Sequence, residues 1–213
     1  MLFELRGTEA LTVEVGANLP VASARELWPW NFTLEQRDGR AVASLLFFRM
    51  RGLRLRGLPA PRFDYWEALW RLGIIWDGVP AWFGCACDLD HPLARWVGRR
   101  LVRYPVREAT FSHAEREESC AVTVTVSGLS LALGATFGDV VAPVPARRLI
   151  VRDRDAFYEI PWEEEPASFH RHAEISILDA ALAQQTLGRG ASFDRVGAVH
   201  RGRLHRCGLA RRL

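Results

Sequence analysis

Lysine is absent from this chain: all 28 of its basic residues are arginine. That absence excludes imine chemistry, pyridoxal-phosphate anchoring and a Walker-A phosphate loop, because each needs an amine side chain. It also removes every site of lysine acetylation. A GC-rich coding sequence accounts for the bias, but the chemical consequence holds whatever its origin. Long apolar runs are missing too. The longest uncharged stretch, Ser119 to Gly138, contains Ser, Thr and three Gly and alternates, so it reads as strands and not as a membrane span. The first residues, Met1 to Glu9, lack a basic region followed by an apolar one, so no signal peptide is expected. Cysteine is scarce, with four residues at irregular spacing that read as free thiols. A soluble cytoplasmic protein with no membrane association is the expectation.

What is present describes an ordinary globular chain. With 213 residues, 49% of them hydrophobic and 25% charged, it has enough apolar side chain for a substantial core and fits one domain. The net charge of +3 argues for no partner by itself, but its distribution is uneven. Seven Arg and one Asp from Gly188 onward set that stretch at +6 and the rest at −3. Residues 191–213 therefore read as a mobile Arg-rich tail behind a domain spanning 1–190. The tail could touch an anionic surface, but it has a single aromatic residue, Phe193, which argues against nucleic-acid binding.

Most elements read as strands. Ala10–Val15 alternates; Pro20–Trp28 suits a short helix stopped by Pro29; Asn31–Gln36 is a second strand. Asp38-Gly39 and Asp77-Gly78 are two-residue hairpin turns, joining Ala41–Arg54 to its predecessor and Phe63–Trp76 to Val79–Asp88. Gly52 marks a bulge and Gly57 an end, followed by a loop at 58–62. Asp90 is the expected N-cap of a helix running to Arg103, with Leu93, Trp96, Val97 and Leu101 on its buried face. Further strands are expected at Val106–His113, Cys120–Val126, Leu129–Phe137, Arg147–Arg152 and Ala156–Ile160. Ala173–Leu187 fits either a strand followed by a helix or one helix. The Glu163–Pro166 run reads as a solvated turn. The fold class is thus mainly β (α+β), a closed or nearly closed, mostly antiparallel barrel with one clear helix.

The strand at Phe63–Trp76 is the most informative. Period 2 puts Tyr65, Glu67, Leu69 and Arg71 on one face and Trp66, Ala68, Trp70 and Leu72 on the other. Glu67 and Arg71 are then either a solvent-facing ion pair or the polar floor of a cavity, where a carboxylate held by a guanidinium binds a ligand or moves a proton. Cys85 and Cys87 fall on one strand face near His91. With Cys207, His200 and His205 a metal site can be drawn, but the spacing matches no usual zinc pattern and buried small hydrophobes are the better reading. His170, His172, Glu174 and Asp179 form no ligand set. No metal and no cofactor are expected.

Several blocks resemble one family. They are Asp38 to Gly52, Leu55 to Pro59, Glu67 to Arg71, Gly78 to Asp88 and Phe157 to Trp162. In order and content they are similar to the uncharacterised bacterial YqjF-like (DUF2071-type) family of the acetoacetate decarboxylase-like superfamily, over about residues 18–180. The resemblance implies a cone-shaped, mostly antiparallel barrel around a small-molecule cavity. In acetoacetate decarboxylase, a Gly-Arg-Glu run leads through Tyr-Pro to a Lys-Lys pair that holds the imine-forming amine. The similar run here, Gly98-Arg99-Arg100 to Tyr104-Pro105, continues instead with Val106 and Arg107, neither of which forms an imine. The decarboxylase's Tyr-Thr-Glu segment, which supplies an active-site carboxylate, is similar to Tyr65-Trp66-Glu67. The resemblance thus implies that Glu67, Arg71 and Arg107 share a pocket with Tyr65 and Val106.

Three functional expectations follow. The leading one is a barrel that binds an apolar small molecule carrying an anionic or carbonyl group, oriented by Arg71 or Arg107, with Glu67 kept ionised by those arginines. The second is an acid/base lyase or isomerase acting on a keto acid, with Glu67 as base and Arg107 as enolate stabiliser. The third is an interaction protein working through its Arg tail. A homo-oligomer is compatible with all three.

Overall fold

Alternating apolar residues convert most of the chain into strand. The computed structural model describes residues 4–56, 62–142, 147–164 and 169–213. In chain order the elements are β1 (Glu4–Pro20), α1 (Val21–Leu27), β2 (Thr33–Leu34), β3 (Gln36–Arg37), β4 (Arg40–Leu55), β5 (Phe63–Trp76), β6 (Val79–Leu89) and α2 (Pro92–Val97). They continue with β7 (Val106–Glu108), β8 (Thr110–Glu115), β9 (Ser119–Val126), β10 (Leu129–Val140), β11 (Leu149–Asp153), β12 (Ala156–Ile160) and β13 (Trp162–Glu164). Last come β14 (Phe169–Asp179), α3 (Ala181–Leu187), β15 (Ser192–Arg201), β16 (Arg203–Gly208) and β17 (Arg211–Arg212).

The mainly β class is as expected, and all strands belong to one sheet, antiparallel except where β6 meets β7 and β11. As hydrogen-bonded ladders the sheet is not a closed barrel. It runs β6–β5–β4–β1–β15–β14–β10–β9–β8. The step from β8 back to β6 is made along the chain itself, through Ala109 and β7. Both expected hairpin turns form, with Asp38, Gly39, Asp77 and Gly78 all at positive φ, the geometry that matches strand twist. The stretch from Ala173 resolves into the end of β14 and then α3.

The sheet buries side chains on two faces. Its inner face surrounds the larger core, which includes Val13, Phe47, Trp70, Phe83, Val124 and Leu131, with Leu182 and Leu187 of α3 packed into it. The outer face of β1, β4, β5 and β6 carries a second core, with Phe48, Met50, Leu69 and Leu89 beneath α2. Three bulges decide which residues meet which core. At Gly52 (φ +60) an extra residue on β4 opposes β1 and β5, as expected, and its N–H donates to Asp64 Oδ1 at 2.8 Å. At Ala10 the extra residue lies on β1, so Leu11, Val13 and Val15 face inward while Leu5 lies on the outer core. At Cys85 the extra residue lies on β6, which sends Cys85 to the inner core and Cys87 to the outer one. The two thiols therefore do not share a face, contrary to the plain alternation.

The helix also departs from expectation. Its N-cap is His91, whose Nδ1 accepts from Leu93 N at 3.2 Å; Asp90 instead accepts from Trp66 N at 2.9 Å, tying the helix entry to β5. The α-helix ends at Val97 and continues as one π turn over Gly98–Val102, closed by Arg103 at φ +63. Gly98 permits this: a Cβ there would come within 2.9 Å of Val106 Cγ2 on β7. The wider turn buries Val102 more deeply than Leu101, in line with Ala94 and Val97; Trp96, in the regular α-helical part, is 55% exposed.

Residues 191–213, expected as a mobile tail, instead supply β15, β16 and β17. The first two pair with β1 along most of its length. Arg201 bonds Glu115 at 2.7 Å. Glu163 and Glu164, expected in a solvated turn, instead belong to β13, which pairs with β16; Glu165 and Pro166, with Gly57 and most of the 58–62 loop, lie outside the described residues. Among the described residues no helix is long and apolar enough to cross a membrane.

Candidate binding site

β5 positions the site. The alternation read from its sequence holds: Tyr65 and Leu69 pack on the outer core, and Trp66, Ala68, Trp70 and Leu72 on the inner one. Glu67 is 3% exposed on the outer face, under α2 and the π turn, beside a cavity of about 40 Å³. Tyr65, Tyr104, His205 and Cys207 line it with Glu67, and apolar residues complete its wall. Cys87 Sγ donates to Glu67 Oε1 at 3.3 Å. Among the described residues no ion pair involves Glu67. Burial pushes its carboxyl from 4.5 up to about 8; Glu9 and Asp88 add to this, while hydrogen bonds from Cys87 and Tyr65 work the other way. Glu67 is therefore a neutral acid at pH 7, not the ionised partner of an arginine that was expected.

Its neighbours are neutral as well. Burial pushes the Tyr65, Tyr104 and Cys87 protons up, and that of Cys207 to about 12. The Tyr104 hydroxyl is buried and has no hydrogen-bond partner among the described residues. The O–H donors of the Glu67 carboxyl and Tyr104 suit a carbonyl oxygen better than an anion.

A cleft of about 670 Å³ adjoins this cavity and shares Phe48 and Trp162 with it. Arg71 lines the cleft. Its Nη2 donates to Glu14 Oε1 at 2.6 Å and to Ser44 Oγ at 2.8 Å, and its guanidinium lies 4.5 Å from the Trp82 ring. Arg147 lies 4.9 Å from the same ring and pairs with Glu35. Arg71 Nε is buried and has no partner among the described residues. Burial opposes ionisation of Glu14, but Arg71 more than offsets it and holds that carboxyl below its usual value. His170 and His200 stand 4.0 Å apart between ring centroids; burial and the charge of Arg203 push both down, His200 to about 4. Both are therefore uncharged at pH 7. Four arginines (37, 71, 147 and 203) line the cleft with two glutamates (9 and 14), and Arg37, Arg71 and Arg147 pair with Asp194, Glu14 and Glu35.

One buried pair spans the boundary between the two spaces. Glu9, in the cleft, accepts from His205 Nδ1 at 2.8 Å and from Thr12 Oγ1 at 2.7 Å, while His205 lines the inner cavity edge-on to Trp162. Burial works against the Glu9 charge, but these bonds outweigh it and the carboxyl stays below its usual value.

The residues expected to share a pocket separate. Glu67 and Arg71 lie on one face but in adjoining spaces. Arg107 faces the opposite side of the sheet: β7 pairs Val106 with Cys87 and Arg107 with Asp88. Val106 consequently packs on the outer core, and Arg107 Nε and Nη2 donate to Asp88 at 2.6 and 2.9 Å, next to Trp70 and Thr186. Tyr104 and Glu9 were not singled out as site residues from the sequence, and His205 was named only in a metal site that was set aside. Tyr104 lay within the quoted Gly98–Pro105 run, whereas Glu9 depends on an unsignalled bulge. Among the described residues no group of three or more His, Cys, Asp or Glu gathers as a metal would require.

This architecture defines the class: it is the fold of acetoacetate decarboxylase-like proteins. The acetoacetate decarboxylase of Legionella pneumophila matches with a TM-score of 0.73 at 12% identity, over 100% of this chain and 89% of the other. An acetoacetate decarboxylase-like enzyme from Sphingomonas wittichii RW1 matches at 0.71 and 15%, over 99% and 92%. The enduracididine biosynthesis enzyme MppR complexed with pyruvate matches at 0.69 and 13%, over 99% and 89%. Within that fold the chain belongs to the DUF2071 family, described as an uncharacterized conserved protein, whose model matches residues 18–149. No curated protein matches it.

Proposed function

We propose that this chain binds a small organic acid, with its carboxylate in the arginine-lined cleft and a carbonyl or hydroxyl oxygen in the cavity of Glu67 and Tyr104. The observation that carries the reading is the pairing of spaces across Phe48 and Trp162: one lined by arginines, the other by the Glu67 carboxyl and the Tyr104 hydroxyl. Charge-assisted bonds from Arg71 suit a carboxylate, and a neutral carboxylic acid suits a carbonyl. Complexes of MppR with pyruvate support an oxo acid as the ligand class for this fold. With no lysine, the chain binds such a ligand without an imine. The YqjF-like affinity and the cytoplasmic location belong to the proposal too, the latter supported by four free cysteines.

An acid/base reaction on the same ligand is the second reading, favoured by the Glu67 carboxyl at about 8. It uses Glu67 as proton donor and leaves Arg107 out. Titration calorimetry with a panel of oxo acids and their non-oxo counterparts tests the binding reading. The expected result is binding that Arg71→Ala weakens by about tenfold or more, the scale of a charge-assisted bond. Binding that is indifferent to the carboxylate, or no binding at all, overturns it. Turnover of any binder, lost in Glu67→Gln, would add the reaction; stable binders without turnover dismiss it.

A further inference from the structure

Glu9 and His205 form a buried pair that the binding reading leaves unused. Their side chains are 3% and 4% exposed, and they belong to different spaces: Glu9 lines the cleft and His205 the inner cavity. Glu9 Oε1 accepts from His205 Nδ1, and Oε2 accepts from Thr12 Oγ1 at 2.7 Å, so the carboxylate is fixed at both oxygens. The imidazole is fixed as well. Its ring stands edge-on to Trp162 with centroids 3.8 Å apart and nearly parallel to Phe48 at 6.4 Å.

This arrangement decides the tautomer. A carboxylate can only accept, so Nδ1 keeps its proton against Glu9, and in a neutral imidazole the lone pair then sits on Nε2. Among the described residues no second hydrogen bond holds the ring. Nε2 is therefore the working end of a carboxylate–imidazole pair at the wall of the cavity that holds Glu67 and Tyr104. That cavity, of about 40 Å³, has room for on the order of three non-hydrogen atoms. A carbonyl carbon, its oxygen and the neighbouring carbon fill it. A ligand whose carbonyl oxygen meets Glu67 and Tyr104 thus brings the neighbouring carbon into the space that His205 lines.

Resting on the acid/base reading above, we infer that His205, held by Glu9, is the base of that reaction and that the reaction is the enolisation of a short oxo acid. Nε2 takes a proton from the carbon next to the carbonyl. The C–H electron pair becomes the C=C bond, the carbonyl π pair moves to oxygen, and the Glu67 proton completes the enol hydroxyl. An imidazolium and the Glu67 carboxylate remain, and the reverse step returns both protons, so the step needs no imine. Glu9 is a positioning residue: it fixes the tautomer of His205 and balances the imidazolium charge.

Proton NMR of pyruvate and levulinate in deuterium oxide tests the inference, with calorimetry on the same acids as the check on binding. The expected result is loss of the C–H signals next to the keto group, faster with the protein than in buffer. His205→Gln and Glu9→Gln should each slow that exchange by about a hundredfold or more, while binding weakens by no more than about threefold. Glu9→Gln keeps the side chain's shape but lets its amide donate to Nδ1, which moves the imidazole proton to Nε2 and removes the lone pair. A purely structural Glu9 would instead change exchange and binding together. If His205→Gln does not fold, Glu9→Gln decides alone. Exchange that survives both variants overturns the role of His205, and its loss in Glu67→Gln would leave the acid/base reading standing. Binding with no exchange in the parent overturns both and leaves the binding reading; no binding overturns all three.

Discussion

Two buried carboxyls, Glu67 and Asp88, sit almost back to back on neighbouring strands and have opposite fates. Ala68 pairs with Asp88 and Glu67 with Leu89, so one ladder step separates them while the sheet turns them to opposite faces. Asp88 is fully buried on the inner face, where it accepts two bonds from Arg107 and one from Trp70 Nε1 at 2.7 Å. Arg107 in turn donates to Thr186 at 3.0 Å, which ties β5, β6, β7 and α3 into one network. Glu67 on the outer face has only the Cys87 thiol at 3.3 Å and the Tyr65 hydroxyl, and beside it lies the Tyr104 hydroxyl, which has no partner among the described residues. The contrast separates two uses of a buried acid. A satisfied charge holds elements in place, whereas a neutral acid among unsatisfied donors is open to a ligand.

The strongest way to break this comparison is Asp88→Ala. Removing one partner leaves the Arg107 charge and the Trp70 N–H unpaired beneath the sheet, and loss of one half of a buried ion pair costs about 3–5 kcal/mol. Urea denaturation of the variant against the parent measures it. A loss below about 1 kcal/mol would mean that water already screens the pair, and that Asp88 is no more structural than Glu67.

Next in size is a pH effect of opposite character. The folded protein holds the Glu67 proton up to about 8, whereas the unfolded chain releases it near 4.5. The stability contributed by the neutral form is therefore fully present below the unfolded value and is lost as pH rises through about 8. In between, the folded state binds one more proton than the unfolded state, so this contribution falls by up to about 1.4 kcal/mol per pH unit. Glu67→Gln has no proton to lose, so the stability of the parent relative to the variant should fall between pH 5 and 8. A flat difference across that range would show that Glu67 ionises in place without penalty.

These two acids also show what the sequence made legible. β5 lacks a bulge of its own, so period 2 alone assigned Tyr65, Glu67, Leu69 and Arg71 to one face. The Asp-Gly turns and the Gly52 bulge were legible because each requires a positive φ that few residues adopt. The side on which Arg107 lies was not legible. Its strand is three residues long, and its facing depends on a parallel pairing with β6, a long-range fact. The bulges at Ala10 and Cys85 carry no glycine: Glu9 lay outside the strand read at Ala10–Val15, and Cys85 was placed by an alternation that fails there. The π turn shifted the end of the helix face by a similar local insertion, which buries Val102 more deeply than Leu101. β15 was missed because it is only partly buried: its arginines and single aspartate break the alternation that its pairing with β1 and β14 imposes.

The smallest expected effect belongs to Tyr104. A buried hydroxyl with no partner has lost its water and gained nothing, so deleting it relieves a cost where deleting a satisfied group would create one. Tyr104→Phe should therefore leave stability unchanged or raise it by up to about 1 kcal/mol in the absence of ligand. The ring stays in the outer core against α2, so packing is conserved. Thermal and urea unfolding of the ligand-free variant provide the measurement. A loss of about 1 kcal/mol or more would show that the hydroxyl is already bonded in the folded protein, through an ordered water for example. Tyr104 would then join Asp88 among the groups that hold the sheet together, and the outer face would keep Glu67 alone as its mark of a binding site.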